Sequence, residues 1–148
     1  MNNFAIYQQR RNRLTQQMQR GIAVIPTAAE AVRNGDAHYP FRFDSHFHYL
    51  TGFDEPESVL VLIAGSETKS ILFCRDKDLE REIWDGFRYG PEQAAKLFGF
   101  DAAWPIAQLD EKLVELMGNQ PALYLPLGAQ AAWDDRILAL RSRVQGLA

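Results

Sequence analysis

Cysteine is almost missing from this chain. Cys74 alone cannot close an internal disulfide, so nothing ties the protein to an oxidising compartment, and the cytoplasm is its expected location. Long apolar runs are missing too. No stretch approaches the roughly 20 apolar residues that span a bilayer, and residues 1–20 lack the apolar segment of a signal peptide, so a soluble, unexported protein with no membrane partner is expected. Positive charge is not in excess: 16 Lys and Arg against 19 Asp and Glu leave a net −3, which gives no general attraction to nucleic acid. Neither G-x-x-x-x-G-K-[ST] nor G-x-G-x-x-G occurs, which removes the usual phosphate-binding loops. A G-x-S-x-G nucleophile elbow is absent as well, since Gly65-Ser66 falls in a predicted hairpin and Cys74 in an apolar strand. With three histidines and no nucleophile beside a base, no catalytic residue is expected in this chain.

What is present is an ordinary globular mix. The 148 residues are 47% apolar and 11% aromatic, too rich in core formers for disorder and long enough to bury a real core in one domain, 1–148. Phe4, Tyr7, Leu14 and Met18 recur at helical spacing over residues 2–19, with Gly21 as the expected C-cap and Arg10, Arg11, Arg13 and Arg20 on a solvated face. Residues 21–26 (GIAVIP) read as a short buried strand, and Asn34-Gly35-Asp36 as a turn. Residues 58–64 and 70–75 read as two strands joined by the polar turn 65–69. The first is apolar throughout from Val59 to Ala64, which predicts a central strand covered by helices on both faces. Helices are predicted at 91–98, ended by Gly99, at 110–117, closed by Gly118-Asn119, and at 131–144; short strands are predicted at 102–106 and 121–126. Strands alternating with helices make the fold class α/β.

One local constellation bears on chemistry. In Asp44-Ser-His46-Phe-His48 an extended backbone projects Asp44, His46 and His48 from one face, and two imidazoles with a carboxylate suit a divalent metal. The competing reading makes these the polar side of a half-exposed strand whose other side, Phe47 and Tyr49, enters the core. The competing reading is favoured, because a catalytic zinc site normally draws a third ligand from a firmly placed second element.

The run YPFRFDSHFHYLTGFDEPESVLVL at residues 39–62 resembles the N-terminal domain of bacterial Xaa-Pro aminopeptidase, or aminopeptidase P. There the pattern is Y-P-[FY]-R-Q-[DN]-S-x-F-x-Y-L-T-G-F-x-E-P-E followed by an apolar strand. A second stretch, REIWDGFRYGPE at 81–92, is similar to the family's E-I-W-x-G-x-R-x-G, and Gln9 to Met18 resembles its opening helix. Phe43 departs from the family's Gln, and His46 and His48 stand where relatives vary or are aromatic. That argues against His46 and His48 as metal ligands, so none is assigned. Prolidases and creatinases share the two-domain plan, but the L-T-G-F-x-E-P-E run is closer to aminopeptidase P.

The resemblance implies a mixed β-sheet flanked by helices on both faces, as in creatinase N-terminal domains. It also implies a catalytic pita-bread domain downstream and absent from this chain. That domain would hold two metal ions, usually manganese, on two Asp, two Glu and one His, so this chain would need no cofactor of its own. The expected partners are the chain's own C-terminal catalytic domain, further copies in a dimer or tetramer, and the peptide substrate of the whole enzyme. Phe41, Phe47, Tyr49, Leu50 and Phe53 read as core anchors, Arg42 and Asp44 as a candidate ion pair, and Gly52 as a turn. Trp84 stands apart, a large aromatic in a charged, glycine-flanked stretch that reads as a loop. In the resembling enzymes a tryptophan of this motif reaches the active-site mouth of a neighbouring subunit, which makes Trp84 the candidate substrate-entrance residue in trans. Two other readings stay open: a stand-alone interaction module, and a small metal-binding protein using Asp44, His46 and His48.

Overall fold

A computed structural model describes residues 4–27, 45–118 and 120–124. Five strands form one mixed sheet in the order β4-β3-β2-β1-β5. Helix α1 (Phe4–Met18) leads into β1 (Gly21–Pro26), and α2 (Ser45–Thr51) precedes the hairpin of β2 (Val59–Ala64) and β3 (Lys69–Cys74). There follow α3 (Leu79–Asp85), α4 (Gly90–Phe98), β4 (Ala102–Pro105), a 3-10 turn (Ile106–Gln108), α5 (Leu109–Met117) and β5 (Leu123–Tyr124). β2 is central, antiparallel to β1 (Val61 opposite Val24) and to β3 (Val61 opposite Ile71). The two edges, β4 on β3 and β5 on β1, pair in parallel.

The unbroken apolar run of β2 has the cause expected of it. Side chains alternate along a strand, and here both faces are covered. Ala23, Ile25, Leu60, Leu62, Leu72 and Cys74 enter a core closed by α1, α2 and α4 through Met18, Phe47, Leu50 and Phe98, with Phe53 from the turn after α2. Ile22, Val24, Val59, Val61, Ile71 and Phe73 enter a second core closed by Leu109, Leu113 and Met117 of α5. Full burial contributes about 1.5–3 kcal/mol per large apolar side chain, which makes the β1-β2-β3 ladder the heart of the domain.

Several expectations need correction. Gly21 does not cap α1. The left-handed turn after the helix is taken by Gln19 at φ 67°, while Gly21 opens β1 because an added Cβ would lie 2.7 Å from the carbonyl oxygen of Ala122. The segment from Ser45 is helical rather than extended, and Tyr49 is 51% exposed while Phe47, Leu50 and Phe53 are buried. Gly52 does make the turn, at φ 68°. Arg11 does not sit on a solvated face: it is 2% exposed, and its guanidinium donates to the carbonyls of Leu50 (2.9 Å) and Phe98 (3.0 Å). Phe41, Arg42, Phe43, the turn 34–36 and the predicted helix 131–144 lie outside the described residues.

Candidate functional site

Among the described residues, the most exposed large apolar side chains gather in 76–90. Asp78 starts α3: its extended backbone breaks from the preceding strand, and its carboxylate accepts from the amide of Arg81 at 3.1 Å. Glu80 and Glu82 place negative charge in the first turn, where the helix dipole favours it. Gly86 ends the helix and returns its N–H to the carbonyl of Glu82. Trp84 therefore sits on the last turn of a short helix, not in a loop.

Leu79, Ile83, Trp84 and Phe87 are between 63 and 81% exposed, Trp84 the most. Leu79 and Ile83 are one turn apart and share a row of the helix surface. Among the described residues, α3 packs extensively on no other element. Clustered exposed apolar side chains of this kind are unusual on a protein surface.

Polar bonds hold the backbone beneath this face. Glu82 Oε1 accepts from Lys77 Nζ (2.9 Å) and from the amide of Arg88 (3.0 Å), and the same ammonium donates to the carbonyl of Arg88 (2.7 Å). These bonds, the amide and then the ammonium, hold the Glu82 carboxyl below its ordinary pKa. Glu55, buried under the turn, accepts from the amide of Tyr89 at 2.7 Å and from Arg75 at 3.3 Å. Phe87 lies edge-on to Tyr89, which in turn meets Phe53 and Phe98 of the core. Beside α3 opens a polar cleft of about 740 Å³ whose walls include Arg75, Asp76, Asp78, Arg81 and Arg88. Glu55 and Lys77 were not singled out by the sequence. The only signal was composition, charged residues interleaved with aromatics from 75 to 90.

The suggested histidine cluster does not assemble as a strand would assemble it. Asp44 lies outside the described residues, and of His46 only the backbone is described. That backbone is helical, and two positions apart on a helix are about 200° apart round its axis, so 46 and 48 cannot share a face. His48 meets the edge of Tyr7, with ring centroids 6.2 Å apart. Among the described residues no three His, Cys, Asp or Glu side chains come together as a metal would require. Cys74 is buried, and burial, helped by Glu55 and Asp76, pushes its thiol up to about 12, the opposite of an activated nucleophile.

Residues 7–124 match the family described as aminopeptidase P, N-terminal domain. The Xaa-Pro aminopeptidase of Escherichia coli K12 is 41% identical over 131 residues, covering 86% of this chain and 30% of that protein. The Xaa-Pro aminopeptidase of Haemophilus influenzae is 38% identical over 120 residues, 80% of this chain and 28% of that one. Among solved structures, an E. coli aminopeptidase P variant in complex with substrate superimposes with TM-score 0.88 at 36% identity, over 97% of this chain and 33% of that chain. Proline aminopeptidase P II from Yersinia pestis gives TM-score 0.88 at 38% identity, over 95% and 33%. The chain thus spans about a third of the length of these relatives. By its sequence and by its five-stranded mixed sheet, it belongs to the aminopeptidase P N-terminal domain family.

Proposed function

We propose that this domain serves a metal-dependent Xaa-Pro aminopeptidase, an enzyme that releases the first residue of a peptide whose second residue is proline. A dedicated enzyme is needed because proline's tertiary amide carries no N–H and its ring fixes φ. In this reading the domain is non-catalytic. Hydrolysis belongs to a C-terminal catalytic domain holding two manganese ions, and the assembly works in the cytoplasm as a dimer or tetramer. The role of the present chain is to build that assembly and to narrow the entrance of a neighbouring subunit's active site with Trp84.

The observation that carries this reading is the exposed apolar face of α3, with Trp84 at its end inside the motif REIWDGFRYG. A core tryptophan stabilises its own domain, whereas one this exposed is free to contact a second body. The test is Trp84→Ala. In the 148-residue chain the melting temperature should move by no more than about 1–2 °C, since exposed substitutions cost within about 0.5 kcal/mol. In the full-length gene product, turnover of a dilute Xaa-Pro peptide should fall about tenfold through a raised KM, the order expected for losing a buried aromatic contact across an interface. Metal content should be unchanged, and light scattering should report the oligomer. Unchanged turnover, or a melting loss as large as a core truncation gives, would refute the role.

A further inference from the structure

A helix that packs extensively on no neighbouring element needs another cause for its orientation. Among the described residues α3 has no extensive packing partner, and four of its neighbouring apolar side chains point into solvent, so the hydrophobic effect within this domain does not fix how Trp84 is presented. Polar bonds do hold the segment, and three of them converge on two side chains. Lys77 reaches from before the helix to Glu82 in its middle and to the carbonyl of Arg88 beyond its end. Glu82 returns to the amide of Arg88, closing a ring through side chain and backbone. The Lys77 ammonium also lies 4.2 Å from the ring centroid of Phe87, so the same charge steadies a second member of the apolar face.

We propose that Lys77 and Glu82 are positioning residues that hold α3 and the turn 86–89 in one arrangement, so that Trp84 and Phe87 are presented ready-formed to the neighbouring active site. This rests on the reading of Trp84 given above. Neither residue touches substrate in that scheme. Their effect is to remove the ordering cost that a loose segment would carry into each encounter with peptide. Glu55, bonded to the amide of Tyr89, anchors the far end of the turn to the core and marks where the held segment stops.

The test compares Glu82→Ala, Lys77→Met and Glu82→Gln with the parent. Amide hydrogen exchange of the 148-residue chain reads the latch itself. Exchange over residues 82–89 should rise about tenfold in Glu82→Ala, the order expected for losing a hydrogen bond to a charged group, while β1, β2 and β3 keep their protection. Glu82→Gln retains an acceptor for the Arg88 amide and should fall between. The full-length product then reads the consequence: Glu82→Ala and Lys77→Met should raise KM for an Xaa-Pro peptide in step with Trp84→Ala, at unchanged metal content.

The outcomes separate the two proposals. If exchange over 82–89 does not rise, or rises equally in the central strands, the latch is refuted. If the segment loosens and Trp84→Ala raises KM but the latch variants do not, positioning alone is refuted. If Trp84→Ala leaves KM unchanged, the reading of Trp84 falls, and the function assigned to the latch falls with it.

Discussion

Replacing Arg11 by methionine keeps most of the buried stem and removes only the donors, which isolates what the guanidinium does. Its two best bonds go to Leu50 at 2.9 Å and Phe98 at 3.0 Å, with Gly99 at 3.4 Å as a weaker third. Leu50 lies in the last turn of α2 and Phe98 ends α4, so one cation serves carbonyls at the C-termini of two helices, where orphan acceptors and the negative end of the dipole coincide. It also lies 4.5 Å from the ring centroid of Phe100.

Burial pulls the Arg11 pKa from 12.5 down to about 10, with Asp101 opposing, so the side chain stays charged at neutral pH and its burial is costly without those carbonyls. Hydrogen bonds to charged groups contribute about 1.5–3 kcal/mol each, net of water. Two of them put Arg11→Met at about 3 kcal/mol or more, which at this length is a drop of roughly 6–12 °C in melting temperature. Arg11→Lys should recover only part, because an ammonium lacks the fork that spans both carbonyls. Thermal and urea melts of the three proteins decide the matter. Arg11→Met within about 1 °C of the parent, a shift too small for even one lost bond, would show that water satisfies those helix ends and that Arg11 is a spacer.

The Cys74 thiol, raised to about 12 by burial, makes a kinetic and a thermodynamic prediction. Its native reaction with a disulfide reagent at pH 8 should be slow and should become fast on unfolding. Because the unfolded thiol ionises near its ordinary value and the native one does so later, this contribution to stability is whole below about pH 8.5 and is lost as pH rises toward 12. Cys74→Ala should flatten that alkaline decline in urea melts at pH 7–10, and an unaltered slope would contradict the assignment. Gly52→Ala puts a Cβ at φ 68° and 2.5 Å from the Tyr7 ring, so it should cost more than about 1 kcal/mol, and equal stability in the same melts would count against the turn geometry.

The sheet was legible because its signal is local and repeated. In β2 every residue from Val59 to Ala64 is apolar, and in β3 Ile71 to Cys74 likewise, so both strands announce two covered faces. Helices α4 and α5 were legible from their ends, Pro91 and Gly99 in one case and Gly118 in the other. The segment 45–51 was misread because Ser-His-Phe-His-Tyr alternates like a strand, whereas of its apolar side chains Phe47 and Leu50, three apart, are the buried pair. Tyr49 falls off that stripe and stacks under Arg10 instead, the guanidinium 4.1 Å from its ring centroid. Arg11 was hidden for a different reason. Its face position, in register with Tyr7, Leu14 and Met18, looks like a break in an apolar stripe until α2 and α4 bring their carbonyls to it, and those lie 39 and 87 residues away.

The same distinction separates what stabilises this domain from what it presents. Glu55 is buried and tied to Arg75 and Tyr89, so the turn 86–90 is joined to the core from below by long-range bonds. Above that junction the bonds become local: Lys77, Glu82 and Arg88 are within 11 residues of each other, and the aromatics they order face outward. Local bonds cost little loop-closure entropy, which lets a seven-residue helix hold its shape without a hydrophobic face turned inward. The apolar side chains are thereby released from folding and left available to a partner. A face built this way can change its residues with small effect on the melting of its own domain, which is the physical reason to look for the consequence of Trp84 in the assembly proposed above rather than in this chain alone.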